Sequence, residues 1–323
     1  MGLKLKKKKI AFIGAGYMST EHVKTFSRLK KYFLVSGIFN RTKSKAQNLA
    51  KKYNISFVAS SIDSLYENTK ADAVVISINQ IHLLTILPKV LEYPWKIMIE
   101  KPLGYNYEHA NKIFSLVKKY KKQNDIVVAL NRRNYPTTLQ AIEIIKNTND
   151  TRIVSVEDQE NIKDPKMLKK SHLIRKNWMY SNSIHIIDYF NIFCRGKVIN
   201  IKNIIKTKTN KSGLMLSHIR FSSGDIGIYK CIWNMPGPWS VTIITKKIFL
   251  ELKPLEKLFA RSSLQKVKKV KINNPEPGDL KTGLKNQADQ FYNFIHNKKH
   301  NLVSLENSLN IMKFIKNIYQ IKK

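Results

Sequence analysis

Only two cysteines, Cys194 and Cys231, occur in 323 residues. Both lie in apolar stretches. That excludes a disulfide framework and predicts buried thiols in a reducing compartment. No stretch approaches the roughly 20 apolar residues that a membrane-spanning helix needs. The basic run Lys6–Lys9, followed by Ile10-Ala11-Phe12-Ile13, has the order of a signal segment. Its apolar part is too short and is broken at Gly14 and Gly16, so a first strand is predicted, and the expected location is cytoplasmic. Acidic residues are scarce: 22 Asp and Glu stand against 58 Lys and Arg, for a formal net charge of +36. The lysines are scattered in pairs such as Lys30-Lys31, Lys118-Lys119 and Lys246-Lys247. No RNA-recognition motif, helix-turn-helix or zinc-ligand spacing accompanies them. They predict solvated surface, with no specific nucleic-acid partner and no metal. A positive field of this kind favours an anionic cofactor and an anionic substrate.

What is present is an alternation of two periods. Apolar runs at Ile10–Ile13, Leu34–Phe39, Ala73–Ile78, Ile97–Ile99 and Ile126–Leu130 read as strands. Helical spacing fills the gaps over Thr20–Tyr32, Lys43–Tyr53, Ile81–Leu91 and Tyr107–Tyr120. This order predicts an α/β unit with a parallel sheet covered on both faces. Beyond about residue 150 the runs lengthen and alternate: Arg152–Val156, Val198–Ile205, Leu214–Phe221, Ile226–Trp233 and Trp239–Leu252. They predict an antiparallel sheet with one half-exposed face. Helices are expected at Ser183–Phe193, Gly283–His296 and Ser304–Ile321.

The first strand runs into Gly14-Ala15-Gly16-Tyr17-Met18-Ser19 and then a helix. That context gives a glycine pair its meaning. Gly14 permits the tight turn, Gly16 lets the backbone approach a pyrophosphate, and the helix N-terminus supplies partial positive charge. Tyr17 and Met18 belong to the same cradle. The third glycine of the fingerprint is absent; Ser19 stands there. The second strand also lacks the acidic residue that would bind a ribose 2′-hydroxyl. It ends in Asn40-Arg41-Thr42-Lys43, where Arg41 can pair with a 2′-phosphate and Asn40 and Thr42 can donate. NADP is therefore preferred over NAD.

A later strand ends in Glu100-Lys101-Pro102. Lys101 falls where parallel sheets present their carboxyl ends to ligands, and Pro102 admits a cis bond. A lysine so placed can polarise a substrate oxygen as charge develops on it. On the helix after Ser181-Asn182-Ser183, His185 can exchange a proton near neutral pH. Arg133, Trp178, Ser181 and Asn182 are candidate substrate contacts.

These motifs together resemble the glucose-fructose oxidoreductase / inositol dehydrogenase family (Gfo/Idh/MocA). They are the glycine turn, Ile76-Ser77-Ile78-Asn79 with His82 close behind, Glu100-Lys101-Pro102, Asn131-Arg132-Arg133, and His185-x-x-Asp188. The resemblance implies an N-terminal Rossmann domain over 1–124 and a C-terminal α+β domain over 125–323. The second domain carries a large, mostly antiparallel open sheet, and the last helix is expected to pack back on the first domain. It implies hydride transfer between a nicotinamide and a hydroxyl or carbonyl carbon of a sugar, nucleotide-linked sugar or related polyol. Lys101 and His185 match the catalytic pair; Asn79, His82 and Glu100 match positions lining nicotinamide and ribose. Homodimers or homotetramers through the open sheet are implied as well. The sequence departs from the family at Ser181 and Ser183, where an aspartate and a glycine are common, and at Ile78, where proline is frequent.

Overall fold

Strand β1 (Lys8–Ile13) enters the molecule with its last four residues buried, as a strand covered on both faces must. A computed structural model describes residues 7–161, 169–206, 213–263 and 265–321. After β1 come α1 (Tyr17–Arg28), β2 (Phe33–Phe39), α2 (Lys43–Tyr53), β3 (Val58–Ala59), α3 (Ile62–Thr69) and β4 (Ala73–Ile76). Then follow α4 (Leu83–Val90), β5 (Lys96–Glu100), α5 (Tyr107–Lys119), β6 (Ile126–Ala129), α6 (Pro136–Ile145) and β7 (Ile153–Asp158). Three short helices, α7 (His172–Lys176), α8 (Ile184–Ile187) and α9 (Tyr189–Phe193), precede β8 (Val198–Lys206), β9 (Gly213–Phe221) and β10 (Ile226–Trp233). The chain closes with β11 (Ser240–Ile244), β12 (Ile248–Leu252), β13 (Leu258–Ser262), β14 (Lys268–Lys269), α10 (Leu284–Ile295), β15 (Val303–Ser304) and α11 (Leu305–Tyr319).

Two compact units result. One comprises Met1–Asn131 with Glu276–Asn310, the other Arg132–Pro275 with Ile311–Lys323. In the first, the sheet order is β15-β6-β5-β4-β1-β2-β3, parallel except for the β15–β6 pair. From β1 the chain builds outward one way through β2 and β3, then returns to build the other way through β4, β5 and β6. The strand order therefore reverses between β1 and β4, which makes their carboxyl ends the switch point of a doubly wound sheet. Phe12, Val23, Phe26, Ile38, Met98 and Phe291 are among the buried side chains of its core. The helices that face the sheet carry ordinary start signals. Ser61 Oγ accepts from Ser64 N at 3.0 Å at the start of α3, and Asn106 Oδ1 accepts from His109 N at 2.8 Å at the start of α5.

The second unit holds an eight-stranded sheet, β14-β13-β12-β11-β7-β10-β9-β8. It is antiparallel except where β7 and β10 run parallel. On β7, Val154, Val156 and Asp158 are buried, while Ile153, Ser155 and Glu157 on the opposite face are partly open. The predicted single strand Trp239–Leu252 is in fact a hairpin of β11 and β12. Thr245 makes the turn: its Oγ1 accepts from the N–H groups of Lys247 and Ile248 at 3.2 and 3.1 Å. No glycine or proline marks that reversal, so the apolar pattern reads straight through it. The predicted helix Ser183–Phe193 is found as α8 and α9, divided at Asp188, and a π-helical turn, Met179–Ser183, leads into α8. Both cysteines are free and buried, and burial pushes each thiol well above its usual pKa. Among the described residues, no helix is long and apolar enough to cross a membrane, and no cluster could hold a metal ion.

Candidate active site

In the first unit the parallel sheet delivers the ends of β1, β2, β4 and β5 to one edge. Gly14 follows β1 with φ +114°, a conformation that favours glycine. A Cβ there would lie 2.2 Å from the Ser77 carbonyl oxygen at the end of β4, so the turn and β4 are in close contact. Gly16 differs: nothing lies within 4 Å of where its Cβ would be. Gly16 is also the N-cap of α1, with no side chain capping the helix and no acidic residue in its first turn. Open space thus adjoins a helix start that no side chain caps, the kind of place that holds a pyrophosphate. These residues fit a dinucleotide. Tyr17 is exposed and Met18 half-buried beside this opening. Ser19, in place of the third glycine, is fully buried and donates to the Ser77 carbonyl at 3.3 Å. The serine keeps the helix close to the strand by bonding to it.

At the end of β2, Asn40 Nδ2 donates to the Thr42 carbonyl at 2.9 Å, which shapes the turn. Arg41, Thr42 and Lys43 are exposed there. After β4, the exposed Asn79 caps a short 3₁₀ turn, its Oδ1 accepting from Ile81 N at 3.2 Å; His82 in that turn is half-buried. Glu100 ends β5 buried. His22 Nε2 donates to its Oε1 at 2.7 Å, and the N–H of Lys101 donates to its Oε2 at 3.1 Å. Its carboxylate is therefore committed to α1 and to the backbone of the next residue. Lys101 is half-buried, and the Lys101–Pro102 bond is cis.

The remaining candidates lie in the second unit. Ser181 and His185 are buried on consecutive turns, Ser181 in the π-helical turn and His185 in α8. π-Helical turns recur at functional sites because they re-aim side chains. Arg133 is engaged: its Nε and one terminal nitrogen donate to the two oxygens of Asp188 at 2.5 and 2.6 Å. Burial works against the guanidinium's charge, and the adjacent carboxylate more than offsets it, leaving the Arg133 pKa above its usual value. Trp178 Nε1 and Asn182 Nδ2 both donate to Glu160, at 2.8 and 2.7 Å. Glu160 is buried just past the end of β7. Two positions earlier, Asp158 is fully buried and accepts from Tyr229 Oη at 2.5 Å. Burial pushes its carboxyl up to about 6.

Sequence reasoning missed His22, Asp158 and Glu160. A signal for the last two was present. The alternation Val154, Val156, Asp158, Glu160 continues the inward face of β7 into two carboxylates.

Residues 8–128 match the model of an oxidoreductase family with an NAD-binding Rossmann fold, Gfo/Idh/MocA. No curated protein matches the chain. Solved structures share the fold over nearly the full length. UDP-N-acetylglucosamine 3-dehydrogenase from Acidithiobacillus ferrooxidans is 12% identical with a TM-score of 0.77, covering 98% of each chain. An oxidoreductase from Thermotoga maritima is 20% identical with a TM-score of 0.80, covering 98% of this chain and 96% of its own. Levoglucosan dehydrogenase in complex with NADH and L-sorbose is 16% identical with a TM-score of 0.80, over the same shares.

Proposed function

We propose, for a chain whose residues 8–128 match the model of the Gfo/Idh/MocA oxidoreductase family, that it is an NAD(P)-dependent dehydrogenase acting on a CH–OH group of a sugar or nucleotide-linked sugar. The observation that carries this reading is the uncapped start of α1 at Gly16, on the same sheet edge as Lys101. A nicotinamide dinucleotide, when bound, supplies the hydride acceptor for oxidation or the donor for reduction. The chain's own residues do the rest. Gly14 would let the turn pack against β4, Gly16 would leave room for the pyrophosphate, and the N-terminus of α1 would face it. Arg41, with no carboxylate nearby at the end of β2, pairs with a 2′-phosphate, so NADP is preferred. In the oxidative direction His185 takes the hydroxyl proton, and the Lys101 ammonium stabilises the oxygen as it becomes a carbonyl. In reduction both roles reverse.

The net charge of +36 and the sugar dehydrogenases among the structural relatives support an anionic, nucleotide-linked hexose as substrate. Such a reaction fits the assembly of surface polysaccharides in the cytoplasm. The partly open face of the second sheet supports a homodimer or homotetramer, which light scattering would read directly. Turnover of nucleotide-linked hexoses with NADP and with NAD tests the reading; silence across that panel discards it. Ser181, in place of a carboxylate, favours a second reading, a cofactor-binding regulator without turnover. It predicts tight dinucleotide binding and no product in the same assay.

A further inference from the structure

Glu160 reaches toward the segment that leads to His185 and takes two hydrogen bonds from it, one from Trp178 and one from Asn182. A carboxylate has only acceptor oxygens, so the group of Asn182 that faces it must be the amide nitrogen. The amide is planar, and its oxygen is therefore turned the other way. Asn182 is half-buried, and its Oδ1 takes part in no hydrogen bond among the described residues. Trp178 is fixed by the same carboxylate. Its indole nitrogen can only donate, and that donor is spent on Glu160, which leaves the half-buried ring as a rigid apolar surface.

We propose that Glu160 is a positioning residue that locks Asn182 with its carbonyl oxygen toward the substrate, making residues 178 and 182 a subsite for a sugar that presents a hydrogen-bond donor. The inference rests on the dehydrogenase reading and deepens it. The subsite selects a hydroxyl or an acylamino N–H beside the reacting carbon, lying over the Trp178 ring. It disfavours a keto or deoxy carbon at that place, because neither can donate. The Ser181 hydroxyl can donate or accept and so does not by itself select a donor, whereas Glu160 determines which atom of Asn182 faces away from it.

The test exploits the polarity of the pair. Glu160→Gln lets the two amides pair in either sense and frees Asn182 to turn over. Asn182→Asp sets two carboxylates against each other. The double variant E160Q/N182D restores one hydrogen bond in reverse: the amide introduced at position 160 donates, and an acidic oxygen at position 182 again faces outward. Binding of UDP-glucose, UDP-N-acetylglucosamine and UDP-2-deoxyglucose to the NADP-loaded full chain is measured by calorimetry, with melting temperature as the folding control. For the wild type, the two donor-bearing sugars bind more tightly than the deoxy sugar. Either single substitution weakens the better ligand about tenfold and shrinks that preference, and the double variant recovers most of both. In turnover the loss falls on KM, with kcat little changed. A purely structural role leaves the preference ratio untouched in every folded variant.

The inference is overturned if folded Glu160→Gln keeps wild-type affinity and preference, or if the double variant is no better than the singles. Should the wild type bind the dinucleotide but none of the three sugars, the substrate class and this subsite fall together. Wild-type turnover with unresponsive variants removes the subsite alone.

Discussion

His22 Nε2 and Glu100 Oε1 meet at 2.7 Å across 78 positions of sequence, with both side chains buried. The bond ties the helix that begins at Gly16 to the end of the strand that carries Lys101. Removing one partner leaves a buried polar group unsatisfied. His22→Ala should therefore lower unfolding stability by about 2–4 kcal/mol, read by chemical denaturation. Because α1 is also the helix proposed to face the dinucleotide, dinucleotide affinity should fall with it. Wild-type stability in this variant would mean that water replaces the imidazole, and that the bond is not what holds α1 to β5.

The two glycines of the turn make opposite predictions. At Gly14 a methyl group meets the Ser77 carbonyl at 2.2 Å in a backbone with φ +114°. Gly14→Ala should lower stability by several kcal/mol, or about 10 °C or more in Tm. At Gly16 a methyl group meets nothing within 4 Å. Gly16→Ala should melt within about 2 °C of wild type yet bind NADP at least tenfold more weakly, because the methyl takes the space of the phosphate. Fluorescence titration and thermal denaturation of the two variants separate these cases. A Gly16→Ala protein with full NADP affinity would place the pyrophosphate elsewhere.

Much of the fold was readable because its signals are local. The buried runs at Ile10–Ile13 and Ala73–Ile76, and the amphipathic helix Lys43–Tyr53, fall where periodicity puts them. The two-residue strand β3 was not readable, being too short to show a period, and α3 went unpredicted although Ile62, Leu65 and Thr69 have helical spacing. The hairpin at Thr245 was hidden because its turn is made by a threonine hydroxyl instead of glycine. Of the candidate site residues, Gly14, Gly16 and Lys101 were singled out from residue type in context, and the structure places all three at the carboxyl ends of β1 and β5. His22 and Glu160 were not, because their meaning lies in long-range hydrogen bonds to Glu100 and Asn182. Arg133 shows the converse: its type suggested a ligand contact, and its two bonds go to Asp188.

Asp158 should make folding stability depend on pH. Burial raises its carboxyl from the ordinary 3.8 to about 6. The folded state thus holds the proton more tightly than the unfolded chain. That contribution to stability is complete below about pH 4 and is lost as pH rises through 6. Two units of difference correspond to at most about 3 kcal/mol. In Asp158→Asn this part of the pH dependence should vanish, while Tyr229 keeps an acceptor for its hydroxyl. Urea unfolding at pH 4.5 and 7.5 reads it out. If the wild type and Asp158→Asn change equally between the two pH values, the carboxyl is not the source.

Cofactor choice should be separable from catalysis at Arg41. The side chain is exposed and has no carboxylate partner among the described residues, so its removal costs the fold little. Arg41→Ala should weaken NADP about tenfold and leave NAD within about twofold, the loss of a charge-assisted bidentate contact to phosphate. Equal effects on both dinucleotides would assign Arg41 to general surface charge. Raising the salt concentration discriminates further: a long-range field is screened over about 10 Å at 0.1 M, whereas a direct pair is screened less.

The catalytic assignment makes the strongest demand. Under the proposed mechanism Lys101 and His185 would act on one oxygen, the amine stabilising it and the imidazole moving its proton. Lys101→Ala and His185→Ala should each lower kcat about 10²- to 10⁴-fold. Groups that act as one unit are non-additive, so the double variant should be little worse than the poorer single. Dinucleotide affinity should stay within about threefold of wild type throughout, because the phosphate cradle at Gly14 and Gly16 is untouched. Additive losses would separate the two groups into independent tasks. Retained turnover in Lys101→Ala would remove the amine from the chemistry and leave it as a charged end to β5.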